Sequence, residues 1–254
     1  MRSPLQDQQL TGNLPHPWEG LRLVPESAST NADLVAAAAA GQAEPWTVLV
    51  AETQSAGRGR LGRTWTSTPG AGLTFSVLVP TPQRPGWVPL LTGLAVAEAI
   101  QTLYAVRPGL KWPNDLLWSG RKVAGILCEL TTSGIVIGIG LNVDQSEDEL
   151  PVPTAGSLRL LTGAHPPGLT RERLLLEVLA RLAARLADWG RAPDEVRAAY
   201  RRCCLTLGRQ VRVDLGQRGQ KEGRALDVDD DGRLVLDLGD GVEALSAGDV
   251  THVR

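Results

Sequence analysis

The sequence has few of the residues that most often carry covalent or metal chemistry. Among its 254 residues there are three cysteines and three histidines. Cys203 and Cys204 are adjacent and lack the CxxC spacing, so they favour free thiols over a disulfide framework or a zinc site. His16, His165 and His252 are scattered along the chain, and no GxSxG motif occurs. This pattern gives no support to a Ser-His-Asp triad or a zinc set.

Long hydrophobic runs are also missing. No stretch reaches the roughly 18 uninterrupted apolar residues of a membrane span, and the first 20 residues contain no apolar block typical of a signal peptide. We therefore expect a cytoplasmic protein without a membrane partner. The 26 basic and 28 acidic residues give a formal net charge of −2, and there are only one Phe and two Tyr. A nucleic-acid-binding surface is disfavoured, so an anion site must be local.

The remaining pattern is typical of an α/β (α+β) protein, with a mixed or antiparallel sheet and helices packed on it. Residues 1–20 are polar and contain three prolines, so we predict a tail there. Ser29, Thr30 and Asn31 form an N-cap cluster before an alanine-rich segment that ends at Gly41. Helices are predicted at 32–40, 89–103, 170–190 and 194–202, and strands at 46–51, 73–79, 123–130 and 135–143.

From about Leu205 the sequence pattern changes to short runs of alternating apolar and polar residues, which are separated by turn signals. Asp231-Gly232 and Asp240-Gly241 are typical of hairpin turns. Such a pattern over about 50 residues predicts a small SH3-like β-barrel. We therefore expect a tail at 1–20, a catalytic domain at 21–203 and an SH3-like domain at 204–254.

The strongest motif is the segment Gly57–Arg63, GRGRLGR, directly after a predicted strand. Glycines let backbone N–H groups approach an anion closely, and arginines supply forked donors that stay charged near neutral pH. The composition suits phosphate and carboxylate together. By itself it fits a flexible basic surface loop or an RNA-binding segment equally well.

A second motif, KWPND at residues 111–115, follows an apolar helix. Pro113 stiffens the turn and disfavours helical geometry at Trp112, so Lys111 is expected at a fixed corner. A lone lysine is usually solvated, and the pentapeptide could be a plain turn. The neighbouring carboxylate of Asp115 and the rigid setting favour a working lysine.

In order and spacing, these motifs resemble the biotin–protein ligase family over residues 21–254. The likeness is carried by Ser29-Thr30-Asn31, Gln54, GRGRLGR, KWPND, KVAGIL at 122–127 and GIGLN at 138–142. The resemblance implies the class II synthetase-like fold of biotin and lipoate ligases with a C-terminal SH3-like domain. It also implies an ATP- and Mg²⁺-dependent enzyme that makes biotinyl-5′-AMP and transfers biotin to a lysine of a biotin carboxyl carrier domain.

The resemblance also implies roles for individual residues. Ser29, Thr30, Asn31 and Gln54 would bind the ureido head of biotin. The catalytic cations would be Arg58 and Arg60, at the junction of acyl group and phosphate, and Lys111, on the carboxylate and α-phosphate. Asn142 would lie near the adenine and Trp65 would cover the site. The expected binding set is completed by Gly57, Gly59, Asn114 and Gly125. No protein metal ligand is expected.

Structural roles compete with several of these assignments. Ser29 and Thr30 could only cap a helix, Gly125 could only permit close packing, and Asn142 could only end a strand. Asp115 is a candidate base for the acceptor lysine. The segment 144–157 stands where the family has a mobile loop over the adenylate, so we expect it to order on ligand binding.

Two other functions remain as alternatives at this point. A lipoate or octanoate ligase would use the same scaffold but would need a wholly apolar slot, which Ser29, Thr30 and Gln54 disfavour. A nucleic-acid-binding protein would use the GRGR loop. The family also includes repressors with an added helix-turn-helix, for which about 20 residues leave too little chain, so we expect no DNA binding. The sequence leaves open whether the chain forms a homodimer.

Overall fold

The computed structural model describes residues 2–253. A seven-stranded mixed sheet has the order β1-β2-β3-β7-β6-β5-β4, and a five-stranded antiparallel sheet has the order β11-β10-β9-β8-β12. In the larger sheet β1 and β2 run parallel and all other neighbours are antiparallel. This confirms the predicted mixed sheet with helices. Its strands are β1 (Gly20–Ser27), β2 (Thr47–Gln54), β3 (Gly72–Val79), β4 (Gly109–Lys111), β5 (Asp115–Trp118), β6 (Arg121–Leu130) and β7 (Ile135–Asn142).

Six α-helices are described. Three of them, α3, α5 and α6, form a layer on one face of the large sheet, and α2 lies on the other. The helices are α1 (Asp7–Thr11), α2 (Thr30–Ala39), α3 (Val88–Tyr104), α4 (Leu158–Thr162), α5 (Arg171–Arg191) and α6 (Pro193–Cys203). The four predicted helices are confirmed with small shifts of their ends, whereas α1, α4 and strand β1 were not predicted.

The alternation of side chains along the strands divides the core in two. Val48 and Val50 point toward the three-helix layer, and Leu49 between them points toward α2. Leu78 and Val136 complete the smaller cluster under α2. Each central strand is thus buried on both faces, which explains why the segments read as nearly continuous apolar runs.

The helix ends follow the predicted capping chemistry. Ser29 caps α2, accepting a hydrogen bond from the Ala32 amide at 3.4 Å. Thr170 caps α5 in the same way from the Arg173 amide at 3.2 Å. Gly41 follows α2 with a φ of 66°, a conformation that suits glycine. These local signals place both helices in the sequence.

One helical stretch, Pro85–Tyr104, is long and apolar enough to cross a membrane by length and composition alone. In the fold this stretch is a core helix, because most of it is buried between the large sheet and α5. Its apolar character is thereby explained by packing within the protein.

The C-terminal strands form an open sheet and not the closed barrel that the pattern predicted. β11 pairs only with β10, and β12 pairs only with β8. The two predicted turns are confirmed, since Asp231-Gly232 and Asp240-Gly241 lie between paired strands. The strands are β8 (Gln210–Asp214), β9 (Gln220–Val228), β10 (Leu234–Asp237), β11 (Val242–Leu245) and β12 (Asp249–His252).

The turn between β9 and β10 joins the smaller sheet to the larger one. The indole N–H groups of Trp87 and Trp112 donate to the carbonyls of Asp229 and Gly232, each at 3.0 Å. Both indoles are buried, so each donor needs such a partner. Two tryptophans before and after α3 therefore fix the position of the C-terminal sheet.

The N-terminal segment departs from the predicted tail. It contains α1, and Leu5, Leu10 and Trp18 are buried in the main core. The Trp18 indole donates to the carbonyl of Leu179 on α5 at 2.9 Å. Its apolar residues are too widely spaced to show periodicity, which is why the sequence pattern missed this packing.

We expect Leu10→Ala to lower the free energy of unfolding by about 2–5 kcal/mol, because it removes a fully buried side chain and leaves a cavity. Urea unfolding followed by circular dichroism measures the change. Gln8→Ala on the exposed side of α1 is the matched control and should change stability by less than about 0.5 kcal/mol. Equal effects of the two substitutions would contradict the packing of α1 on the core.

Candidate functional site

A cleft opens on the α2 face of the large sheet, beside the end of that helix. Its cavity volume is about 110 Å³, and it is partly open to solvent. Its floor is formed by small residues of paired strands, with Ser76 opposite Gly138 and Gly125 opposite Gly140. Two positions further along the same strands, where α2 covers this face, the paired residues are the larger Leu78 and Val136. The change from large to small residues along the strands creates the cleft.

Two larger side chains fit over this floor because its glycines have no Cβ atoms. A Cβ at Gly138 would lie 2.4 Å from Oδ1 of Asn31, and one at Gly140 would lie 2.2 Å from the Trp65 indole. Trp65 also approaches Gly125 closely, and Nζ of Lys122 lies 5.9 Å from the centre of the indole. Trp65 therefore lies against the floor of the cleft, and its role as a cover for a ligand stays a prediction.

The glycine-arginine segment is a closed loop and not a free surface strand. Gly59 donates its N–H to the carbonyl of Arg63 at 2.7 Å, and Trp65 donates to Gly57 at 2.8 Å. Leu61 at the tip has a φ of 55°, a strained conformation for a branched residue. Gly57 is required by close contact, since a Cβ there would lie 2.3 Å from the Trp65 carbonyl. The loop brings its arginines to the edge of the cleft.

Four cations line the cleft, and three of them have a carboxylate partner. Arg58 pairs with Glu129 at 2.9 Å and Lys122 pairs with Asp115 at 2.6 Å, while Arg63 pairs with Asp249. The hydrogen bond to Asp249 raises the pKa of Arg63. Asp249 belongs to β12, so the C-terminal sheet contributes a wall of the cleft.

Arg60 is different, because no ion pair to it occurs among residues 2–253. Its guanidinium donates to Oδ1 of Asn114 at 3.2 Å. Asn114 is itself oriented by donating to the carbonyl of Ile126 at 3.0 Å. Burial lowers the pKa of Arg60, and the charges of nearby Asp115 and Asp249 act against this. A partly buried cation held by a neutral amide is a site for an anion.

The opposite end of the cleft is lined by a chain of neutral polar groups. Gln54 accepts from the Thr30 amide at 2.8 Å, and the Thr30 hydroxyl lies 2.8 Å from that of Ser76. Ser76 in turn donates to Asn31 at 2.9 Å. The cleft therefore has a cationic end at the loop and a hydrogen-bonding end at the start of α2. Ser29 caps α2 and lines the cleft as well.

Two of the predicted site residues lie elsewhere. Lys111 is on the edge strand β4, which β5 separates from β6, a distance of about 10 Å at normal strand spacing. It does not line the cleft and lies near His252, where burial, then Arg209 and then Lys111 lower the histidine pKa to about 4. Asn142 is buried and donates to the Gly156 carbonyl at 3.0 Å. The remaining predicted residues gather at the cleft.

Several cleft residues had no predicted role. Lys122 lies in the KVAGIL motif without a role of its own there, and no motif includes Ser76, Glu129 or Asp249. Lys122 reaches the cleft because β6 has a register shift against β5 next to Val123, which turns Lys122 to the same face as Gly125. Basic and acidic residues close to a strand bulge are the signal from which these cleft residues could have been predicted.

Residues 2–253 contain no group of three His, Cys, Asp or Glu side chains that could hold a metal ion. The cysteines Cys128, Cys203 and Cys204 are free, as the sequence predicted. The carboxylates at the cleft are already paired with cations, as described above.

Comparison with known proteins identifies the family. Residues 27–146 match the model of the biotin/lipoate A/B protein ligase family, and residues 206–253 match the biotin protein ligase C-terminal domain. The chain is 43% identical over 264 aligned positions to the biotin–[acetyl-CoA-carboxylase] ligase of Mycobacterium tuberculosis, covering 100% of this chain and 98% of that protein. The chain belongs to the biotin protein ligases of this family.

Other relatives agree with this family. The structure of the Aquifex aeolicus biotin protein ligase in complex with biotin and ATP is similar to this ligase with a TM-score of 0.79 and 31% identity, covering 93% of this chain and 99% of that one. The bifunctional ligase/repressor BirA of Escherichia coli is 30% identical over 83% of this chain and 68% of its own length. The match to both sheets supports one shared architecture.

The loop of the ligase at 144–157 is fastened to the N-terminal segment. Arg2 donates to Oδ2 and the carbonyl of Asp144, both at 2.6 Å, and to the two oxygens of Glu149, both at 2.7 Å. These hydrogen bonds are the main reason that the pKa of Glu149 is lowered to about 2. The segment expected to cover the adenylate is therefore tied to the other end of the chain.

This pairing predicts how stability depends on pH. The pKa of Glu149 is depressed on folding, so its contribution is complete above its ordinary value of 4.5 and is lost as pH falls toward about 2. In Arg2→Ala the free energy of unfolding should therefore fall less steeply as the pH is lowered from 4.5 toward about 2. Urea titrations at several pH values measure it. Arg22→Ala, an exposed arginine, is the control and should keep the steep profile; identical profiles for all three proteins would contradict the pairing.

Proposed function

We propose that this ligase joins biotin to AMP at the expense of ATP and then transfers the biotinyl group to a lysine of a carboxylase carrier domain. In the first step the biotin carboxylate attacks the α-phosphorus and pyrophosphate leaves. In the second step the lysine amine attacks the acyl carbon of the mixed anhydride, and AMP leaves. No covalent bond to the enzyme is required, which fits a cleft lining without Cys or His among the described residues.

The observation that carries the proposal is the Arg60 guanidinium, held by Asn114 and free of a carboxylate partner among residues 2–253. Two anions must meet in the first step, and at about 4 Å their repulsion costs about 4 kcal/mol at an effective dielectric near 20. A fixed guanidinium between them offsets that repulsion in the transition state. The backbone amides of the closed loop supply further donors at the same place.

The neutral end of the cleft supports biotin as the acid. Thr30, Asn31, Gln54 and Ser76 present hydroxyl and amide groups where the ureido ring would lie. A lipoate or octanoate ligase, the other function on this scaffold, would place an aliphatic group against these polar atoms and leave them unpaired, at a cost of about 1–3 kcal/mol for each buried group. The polar lining therefore favours biotin over lipoate.

Lys122 replaces Lys111 in the proposed mechanism. Its ammonium lies at the cleft, 2.6 Å from Asp115, close to the position between the loop and the floor where the carboxylate and the α-phosphate would meet. When both ligands bind, Lys122 is placed to leave its ion pair with Asp115 and to contact the reacting oxygens instead. Asp115 would then be released near the acyl carbon, which keeps it as the candidate base for the acceptor lysine.

Magnesium enters this proposal as part of the nucleotide. Mg²⁺ keeps several waters and is usually bound through phosphates and one or two carboxylates. The cleft carboxylates are each paired with a cation, so their arrangement suits an ion carried in by ATP more than a resident metal. Asn142 and the 144–157 loop would approach the adenine only after a rearrangement of that loop.

The names of the relatives support the remaining assignments. The Mycobacterium tuberculosis protein is a biotin–[acetyl-CoA-carboxylase] ligase, so we propose a biotin carboxyl carrier domain as acceptor and the cytoplasm as location, with neither DNA nor membrane as a partner. We also propose residues 21–203 as the catalytic domain and 204–254 as the domain that adds Asp249 to the cleft.

The decisive experiment is ATP-dependent incorporation of labelled biotin into a purified carrier domain. We expect incorporation that needs ATP and Mg²⁺, that stops when the acceptor lysine is replaced by arginine, and that excess lipoate or octanoate leaves unchanged. Incorporation of lipoate in place of biotin would establish the alternative ligase. Absence of any acyl transfer with an intact carrier would reject the proposed function.

Substitution of the two lysines separates the proposed roles. Lys122→Ala should slow adenylate formation roughly 10²–10³-fold, because it removes a donor that stabilises charge in the transition state. Lys111→Ala is the matched control outside the cleft and should retain nearly normal pyrophosphate release. If Lys111→Ala causes the larger loss, the assignment of Lys122 is wrong.

A further inference from the structure

The side-chain amide of Asn31 has an orientation fixed by its neighbours. Its Nδ2 lies 2.6 Å from Oε2 of Glu129 and 3.3 Å from the carbonyl of Leu127. A carboxylate and a carbonyl accept hydrogen bonds and cannot donate them. Nδ2 must therefore face these two acceptors, and Oδ1 must face Ser76 on the other side at 2.9 Å. Ser76 has to donate its only hydroxyl proton to Asn31.

This direction continues through the chain to Thr30. The Ser76 and Thr30 hydroxyls are 2.8 Å apart, and with the Ser76 proton used, Thr30 must donate to Ser76. The Thr30 hydroxyl also lies 3.0 Å from Oε1 of Gln54. That oxygen is held in place because it accepts the Thr30 backbone N–H at 2.8 Å.

The chain is consequently one proton short. Three oxygen contacts link Gln54, Thr30, Ser76 and Asn31, but the two hydroxyls supply two protons. Two acceptors, Oγ1 of Thr30 and Oε1 of Gln54, are left facing each other at the cleft. An N–H group of a ligand that points at both oxygens would donate to both.

We propose that Glu129 is a positioning residue that sets the direction of this hydrogen-bond chain, so that Thr30 and Gln54 select a ligand with an N–H donor. The inference rests on the proposed function, since a ureido ring offers such N–H groups and a dithiolane or alkyl chain has none. Glu129 would thus act on specificity through Asn31 and Ser76 without touching the ligand.

Replacement of the carboxylate by an amide shows why the charge type matters. In Glu129→Gln the new Nε2 can donate to Asn31, whose amide can then turn over and donate to Ser76. Ser76 can now donate to Thr30, and Thr30 to Gln54. The contacts from residue 129 to Gln54 are then satisfied without a ligand, while the turned Asn31 gives up its longer 3.3 Å hydrogen bond to the Leu127 carbonyl, so Thr30 and Gln54 no longer lack a proton between them. The preference for a donor should fall.

The test compares biotin with two analogues, each carrying a methyl group on one of the two ureido nitrogens. Calorimetry without ATP measures the dissociation constants for the full chain and its variants. For the unchanged protein we expect methylation of the donating nitrogen to weaken binding roughly tenfold or more, the usual effect of an unsatisfied buried polar group. In Glu129→Gln this ratio should fall severalfold, mainly because biotin binds more weakly, while the steric cost of the methyl group remains.

Two further variants show whether the direction of the chain is responsible. Glu129→Asp keeps an acceptor that cannot donate and should retain the ratio. Ser76→Ala frees the Thr30 proton for Gln54 and should reduce the ratio, which provides a second route to the result if Glu129→Gln folds poorly.

The outcomes separate this inference from the proposed function. If the unchanged protein binds biotin and the methylation ratio is the same in Glu129→Gln and Ser76→Ala, the role of Glu129 is rejected and the proposed function stands. If the unchanged protein does not bind biotin at all, the proposed function is rejected. A reduced ratio in Glu129→Asp would show that an acceptor at this position does not set the direction of the chain, and this too would overturn the inference.

Discussion

The arrangement of the cleft depends on placing positive charge inside a protein at a fixed position. A guanidinium such as Arg60 loses hydration when it is partly buried, and the usual remedy is a carboxylate partner. Here the partner is the neutral amide of Asn114. The free-energy cost of the lost hydration is offset by the loop, which is closed through Gly57, Gly59 and their backbone hydrogen bonds. The site is therefore prepared for an anion before any ligand arrives, which is the form of electrostatic preorganisation that accelerates group transfer.

The C-terminal sheet belongs to this arrangement as much as the large sheet does. Asp249 holds Arg63 at the far end of the loop, while Trp87 and Trp112 fix the turn at Asp229 and Gly232 on the other side. Movement of the smaller sheet would release one end of the loop and expose two buried indoles. Loop geometry and domain position are thus coupled through one ion pair and two neutral hydrogen bonds, and the neutral pair is less sensitive to salt.

Sequence reasoning succeeded where the signal is local. The caps at Ser29 and Thr170, the turn at Asp231-Gly232 and the GRGRLGR loop each depend on a few adjacent residues, and each is found in the fold. It failed where three-dimensional placement decides. Lys111 and Lys122 look alike in the sequence, but one is on an edge strand and the other is turned to the cleft by a register shift. The packing of Leu10 depends on a helix about 170 residues away, beyond any periodic pattern.

The same distinction explains why the hydrogen-bond chain was invisible in the sequence. Asn31 and Glu129 are 98 residues apart, and neither gives a signal of its own. Hydroxyls and amides can both donate and accept, so a chain of neutral groups can run in either direction. Once the fold brings Asn31 and Glu129 to 2.6 Å, the carboxylate fixes that direction because it can only accept. A charged residue at the border of the site thereby determines what neutral residues inside it can recognise. Specificity for an N–H group then requires no charge at the ring itself, and Arg60, which has no carboxylate partner among residues 2–253, stays available to phosphate.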